Sequence, residues 1–595
     1  MTGKLPLACG RLAWWMISVA AVTGLAGPVL AERPTAAKLL PETTAAVLWI
    51  PNAPEMSKRF LNTAFGQMLQ DPQLEPLVKH LYGSLAEAVG SAQDRIGLSL
   101  AELLAIPQGE LAIAVVAPEE GPPEVVVLLD VGDQLSNARK LLQRGTDALE
   151  QSGAAKSEET VAGTKLVVYD GVGPQRRKLV LCEKDATVVA GSSVEVLGKM
   201  LSVWNGEGEE DHTLAHNEKF AAIMRRSGSK DQRPHVVWYA DPIAIMRSVG
   251  QRNPGARIAV AMLPTLGLDG VNALGGSFTL DAGQFDSVVY AHVLLDSPRT
   301  GILELIALEP GDAEPEPWVP ADVANYTTLH WNFETTFTGL VELYDSFLGD
   351  GAFANLLDKR IKEPIGLDMA KDLLPALAGR VTHFSWIERP ITLRSQATLV
   401  GFQLTDPRAL AEVVEKVFQQ NAAFLARQSF GGKEYFQWTP PRLSDEPSDA
   451  PRPIPCFGVL GDYLIVTDRP SLYQKVVVTA AGSAESLADA LDFKLIASKI
   501  DAQSGDTRPA MIGFERPEEG MRLLYELGVS DNAREQLRRQ AEANPFLKSL
   551  NTALDENPLP PFAVIERYLA PSGAMVVDDE TGLHYTGFSL RRKPD

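Results

Sequence analysis

Short apolar runs, separated by Gly, Pro and charged residues, set the pattern of this chain. A strand is predicted at "AAVLWI" (45–50), because β-branched and aromatic residues crowd a short run bounded by turn formers. Two helices follow, with apolar residues at helical spacing: Met56, Phe60, Leu61, Phe65, Met68 and Leu69, then Leu74, Leu77, Leu81 and Leu85. Strands come next at "ELAIAVV" and "EVVVLLD", then a helix from about Gln134 to Gln151, then the strands "TKLVVYD", "KLVLCE" and "ATVVAG". Helices near 193–202 and 217–226, the strand "HVVWYA", another short helix and a hairpin complete the series. That hairpin, "NALGGSFTL" to "FDSVVYAHVLL", turns at Asp281, Ala282 and Gly283. Consecutive strands joined by tight turns predict antiparallel pairing with helices packed alongside. The fold class is therefore α+β, with a mainly antiparallel sheet, rather than a doubly wound parallel sheet.

The series occurs twice. "IGLSLAELLAIPQGELAIAVV" from Ile96 matches "IGLDMAKDLLPALAGRVTHFSW" from Ile365, with Ser99 and Asp368 as helix caps and Gly109 and Gly379 before a strand. "LPETTAAVLWIPN" from Leu40 matches "VPADVANYTTLHWN" from Val319. Further pairs keep the same order: Gly163 with Gly431, Asp185 with Asp462, Leu214, Ala215 and Phe220 with Leu487, Ala488 and Phe493, Pro242 with Pro517, and Asp281 with Asp578. Collinear matches of this kind predict a tandem duplication of one mixed domain. Copy one occupies 32–308 and copy two 319–595. Between them, 309–318 is rich in Pro and acidic residues and reads as an extended, solvated linker. A second soft stretch, 439–455, is a loop inside copy two that corresponds to "DGVGPQRRK" in copy one.

Charge and targeting add a setting. Lys4 and Arg11 precede the uncharged run "LAWWMISVAAVTGLAGPVLA", which ends with Val29 and Ala31 placed for cleavage before Glu32. Residues 1–31 read as a secretory signal peptide, with an uncleaved N-terminal anchor as the alternative. The expected localisation is periplasmic or secreted. No later stretch is apolar enough to span a membrane. Cleavage removes two positive charges and no negative ones, moving the net charge from −21 to −23. Such a surface repels nucleic acid, so none is expected as a partner. Only Cys182 and Cys456 then remain. Each lies in an apolar run and reads as a buried thiol; one bridge between them is the alternative.

The recurring elements resemble a known family. "LPETTAAVLWIPN", the strand–Ser–Ser–helix of "ATVVAGSSVEVLGKML", the "TLAHNEKF" segment and the hairpin with "TLDAGQFDSVVYAHV" together resemble the domain-of-unknown-function 3352 family, found in secreted proteins of planctomycetes and related bacteria. The resemblance covers most of both copies. It rests on apolar and turn residues rather than reactive ones. It implies secretion and an α+β architecture, and brings no activity or ligand.

The search for chemistry yields little. No phosphate loop, dinucleotide fingerprint, H-E-x-x-H, G-x-S-x-G or C-x-x-C motif occurs. His212 and His216 in "DHTLAHNEKF" are the best metal-ligand pair, since a spacing of four puts two imidazoles on one helix face, with Asp211 or Glu218 as an oxygen donor. Copy two carries Glu485 and Asp489 there, and the flanking run is acidic, so a solvated loop accounts for it. His330 and His383 sit in strands and His292 in the closing hairpin, as structural residues. Asp578, Asp579 and Glu580 fall in a hairpin turn, where polarity alone accounts for them. Trp and Tyr in "HVVWYA", "LHWN" and "FSWIE" alternate with apolar neighbours, as on a sheet face. No catalytic, cofactor-binding or metal residue is assigned, and no cofactor is expected. The expected function is non-enzymatic binding or scaffolding, with an unknown protein or envelope component as partner. The alternatives are a metal-dependent or other hydrolase whose site is assembled from distant residues, and a structural cell-envelope component.

Overall fold

The computed structural model describes residues 33–592, apart from 80–99, 174–175, 229–232, 252, 393, 440–453, Ala553, and 531–550 other than Glu535 and Arg538. The leader at 1–31, Ser99, Leu81 and Leu85 lie outside the described residues. The first half contributes ten strands: β1 (Thr44–Ile50), β2 (Leu111–Val116), β3 (Glu124–Asp130), β4 (Ala155–Val161), β5 (Thr164–Val172), β6 (Arg177–Lys184), β7 (Thr187–Gly191), β8 (Val236–Ala240), β9 (Val271–Ala282) and β10 (Phe285–Leu295). The second half contributes β11 (Asn325–His330), β12 (Leu377–Ile387), β13 (Gln396–Leu404), β14 (Leu425–Phe430), β15 (Lys433–Trp438), β16 (Cys456–Leu460), β17 (Tyr463–Thr467), β18 (Met511–Glu515), β19 (Ser572–Asp579) and β20 (Gly582–Leu590).

The twenty strands among the described residues form one antiparallel sheet. In the first half the spatial order is β4-β5-β6-β7-β3-β2-β1-β8-β9-β10. In the second half it is β14-β15-β16-β17-β13-β12-β11-β18-β19-β20, the same order strand for strand. The last strands of the two series, β10 and β20, pair antiparallel and join the halves edge to edge. The fold is α+β, as the antiparallel reading of the tight turns requires.

Helices cover the sheet for local reasons. Ser193 accepts from the amide of Val196 and starts Val194–Trp204, which buries Val196, Leu197, Met200, Leu201 and Trp204. Asn217 caps Glu218–Arg226, which buries Phe220 and Ile223. Their counterparts, Pro470–Ala480 and Leu491–Ser504, bury Leu472, Tyr473, Val476 and Val477, then Phe493, Ile496 and Ile500. Each pair of helices closes a main apolar core against its half of the sheet. The approach is tight at two glycines. A Cβ on Gly275 would lie 2.6 Å from Ile223 Cγ2, and one on Gly573 would lie 2.6 Å from Ile496 Cγ2. On the first half, a smaller apolar cluster joins Met56 and Phe60 of the helix Ala53–Leu61 to Ile50, Phe278 and Leu280.

Three features depart from the pattern reading. The strands β4 (AKSEETV) and β14 (LARQSF) are not foreseen, because edge strands exposed on both faces carry no apolar alternation. The single short helix expected after β8 is two, Pro242–Gly250 and Pro254–Leu266. The segment 309–318 has no helix or strand, as expected, but it is not simply a solvated tether. Glu316 and Trp318 are both 4 % exposed.

Glu316 is buried because it answers a charge. Arg380 donates from Nε to Thr328 Oγ1 at 3.0 Å and lies 3.1 Å from Glu316 Oε1. The same carboxylate accepts from Tyr326 at 3.1 Å and from Thr382. The first half holds the reverse arrangement. There the residue after Gly109 is Glu110, which pairs with Arg33 at 2.7 Å and accepts from the amide of Ala36 at 2.9 Å and from Trp49 Nε1. So the residue that follows the glycine is acidic in one half and basic in the other, and each finds its counter-ion on the segment leading into its half.

Cys182 and Cys456 are free and buried. Burial pushes their thiols up to about 11 and about 12, so little thiolate forms near neutral pH. A thiol reagent at mildly alkaline pH should label both only as fast as the chain unfolds. Removing one partner of the buried pair should be costly: Glu316→Ala is expected to lower stability by about 3 kcal/mol in urea unfolding, because Arg380 is left charged and dry.

Candidate functional site

The two histidines with metal-ligand spacing do not share a helix face. The chain makes two separate 3₁₀ turns, Glu210–His212 and Leu214–His216, with Thr213 between them bridged to Pro41. His212 Nδ1 lies 3.2 Å from Glu42, and His216 Nδ1 lies 3.2 Å from Thr213 Oγ1. Asp211 is 3.9 Å from His216 Nε2, and Glu218 opens the helix that Asn217 caps. Both imidazoles are largely exposed. Among the described residues, no group of three or more His, Cys, Asp or Glu is placed to hold a metal ion.

The other singled-out residues also have local partners. His330 Nε2 meets the carbonyl of Asp312 at 2.9 Å. Burial holds His383 below the usual histidine range. Trp331 donates to Thr336 and Trp386 to Asp322.

The junction of the halves gathers charged and titratable groups. In the β10–β20 pair, His292 stands opposite His584, with ring centroids 5.9 Å apart. Tyr290 stacks on His584 at 6.2 Å. His292 is 1 % exposed, and its Nε2 reaches Thr581 Oγ1 at 3.4 Å. That hydroxyl donates to Asp579 Oδ1 at 2.6 Å and accepts from Arg226 at 3.2 Å. Arg226, in the last turn of its helix, also pairs with Asp579. Among the described residues, neither histidine's Nδ1 has a hydrogen-bond partner.

Burial is the main reason both histidines are held low. His584 falls to about 4, helped by the neighbouring His292 and by Arg226. Around His292, Arg226 acts in the same direction, while Asp579 and the carbonyls of Leu583 and Thr581 oppose it. Both imidazoles are therefore neutral at pH 7.

Ion pairs lock this junction from both sides. Asp281, in the first half's hairpin, is held by Arg591, which follows β20, and by Arg59 at 3.1 Å. Asp578, in the second half's hairpin, is held by Arg299, which follows β10, with one contact of 2.9 Å. Lys499 reaches Gln284 at 2.8 Å. Farther out, Asp71 accepts from Arg567 and from Tyr568, the latter at 2.7 Å, beside an apolar cluster of Leu74 with Phe562, Val564 and Ile565.

The acidic hairpin 578–580 is thus more than a polar turn, because Asp578 and Asp579 each hold an arginine of the first half. Sequence reading singled out His292 as structural and matched Asp281 with Asp578. It missed His584, Arg226, Arg299 and Arg591, which are hundreds of residues from their partners. The only available signal was an aspartate in the closing hairpin of each half.

No family model matches the chain, and no curated protein or solved structure is similar to it.

The junction ion pairs should be energetically coupled. A double-mutant cycle with Arg299→Ala and Asp578→Ala is expected to give an interaction energy of about 1–2 kcal/mol in denaturant unfolding.

Proposed function

We propose that this chain is a secreted or periplasmic, non-enzymatic binding scaffold that presents the same kind of surface twice. The observation that carries this reading is the recurrence of one ten-strand order on both sides of the β10–β20 pair. Antiparallel pairing of two like units at one edge is the geometry of an isologous dimer. Here it is built within a single chain, as a duplicated domain would be. Two like surfaces held by a paired and ion-bridged junction bind one ligand type at two places, and linkage raises the effective concentration of the second event. The matching residues of the two halves also point to a scaffold. They are glycines, prolines, turn aspartates and apolar residues, which preserve shape. The charged, apolar and small-residue order of residues 1–31 supports secretion. Among the described residues, no helix is long and apolar enough to cross a membrane.

The test is recovery of the partner from the native envelope by cross-linking to residues 32–595, followed by native mass spectrometry of the complex. Two partner copies per chain are expected, with recovery unchanged by His212→Ala and His216→Ala. One copy per chain, or no partner in repeated attempts, overturns the two-site reading.

A further inference from the structure

The residues that close the junction are also suited to open it. His292 and His584 face each other across the strand pair that, among the described residues, continues the sheet from the first half into the second. One is 1 % exposed and the other half-buried, and each leaves its Nδ1 without a partner among the described residues. A hydrogen-bonded structural histidine has a donor or acceptor at both nitrogens. An unpartnered Nδ1 adds no hydrogen bond to the closed state, and around His292 the carbonyls of Leu583 and Thr581 favour a proton less than burial and Arg226 oppose it.

The surroundings tell what a proton would do. Arg226, from the helix Glu218–Arg226, and Asp579, from β19, are the charged groups that face the pair. Arg226 and Asp579 are already paired with each other. From β10 itself comes Tyr290, whose phenol burial pushes up. Thr581 adds a hydroxyl already shared with Asp579 and Arg226. On the flanking strand β9, Gly275 stands opposite His292 and Ser277 opposite Tyr290. Thr586 of β20 lies 3.4 Å from His584 Nε2. A first imidazolium would sit beside a guanidinium with its nearest carboxylate already engaged. A second would sit beside the first.

We propose that the β10–β20 junction is an acid-sensitive latch, in which protonation of His292 and His584 loosens β10 from β20 and weakens the coupling between the two halves. The inference does not depend on the binding reading. The sign follows from linkage. Each imidazole is harder to protonate in the closed junction than in water. Closure is therefore at full strength above the ordinary histidine pKa of about 6.5 and weakens as pH falls toward about 4.

The experiment is hydrogen–deuterium exchange on the mature chain at about pH 7 and about pH 5, read as protection factors so that intrinsic exchange cancels. From His584 alone, protection of β10 and β20 is expected to fall roughly 20-fold between these conditions, and protonation of His292 adds to that fall. Protection of β2 and β3, far from the junction, should change little. In a His292→Gln, His584→Gln chain the fall at β10 and β20 should disappear. Equal protection at both pH values overturns the proposal, and so does an equal fall in the Gln chain. Should the double variant not fold, imidazole NMR of the wild-type chain decides. Either histidine titrating near its ordinary value in the closed protein, without loss of β10 protection, overturns it; a coupled change in both signals supports it.

Discussion

The backbone of β10 is the element on which the rest of this structure depends. It is an eleven-residue strand at the end of a ten-strand series, and unpaired it would present a row of bare N–H and C=O groups. β20 has the same problem at the end of the other series. Pairing them satisfies both edges at once and turns two sheets into one. The two remaining edges, β4 and β14, are handled differently. They are short, exposed and polar, with Lys156, Glu158 and Glu159 on one and Arg427 and Gln428 on the other. Charge along an edge discourages pairing with another chain.

Once β10 and β20 meet, the side chains around them must match. Asp281 and Asp578 each receive an arginine from the opposite half, and Asp281 is also held by Arg59 of its own half. The same logic operates within each half at the residue after Gly109 or Gly379. One half places a carboxylate there and the other a guanidinium, and both recruit the opposite charge from the segment that leads in. Buried ion pairs contribute little net stability against an apolar replacement, but breaking one is costly. Such pairs therefore fix which segment seats where. That explains why the acidic stretch around Glu316 packs inward although its composition reads as solvated.

Much of the fold was legible in the chain. The short apolar runs "AAVLWI", "KLVLCE" and "HVVWYA" and the cap Asp368 all predicted elements at the positions where they form. These signals are local, since each depends on residues within a few positions of one another. Where the local signal was weak, the reading failed. β4 and β14 lack a buried face, and the helix Pro254–Leu266 follows another helix with no strand between. The pair His212 and His216 shows how spacing alone misleads. Their spacing fits a helix, but the bridge from Thr213 to Pro41 breaks the segment into two 3₁₀ turns.

By itself, then, the sequence determined the α+β class, most of the strands and helices of each half in their collinear order, and the burial of both cysteines, because these follow from short-range periodicity and turn chemistry. Only the tertiary structure decided that the two series share one sheet, that β10 meets β20, and that His292 faces His584. It also decided which arginines answer Asp281, Asp578 and Asp579. Those contacts join residues hundreds of positions apart, where the geometry of pairing and the need to neutralise buried charge select the partner, and no local pattern along the chain encodes that choice.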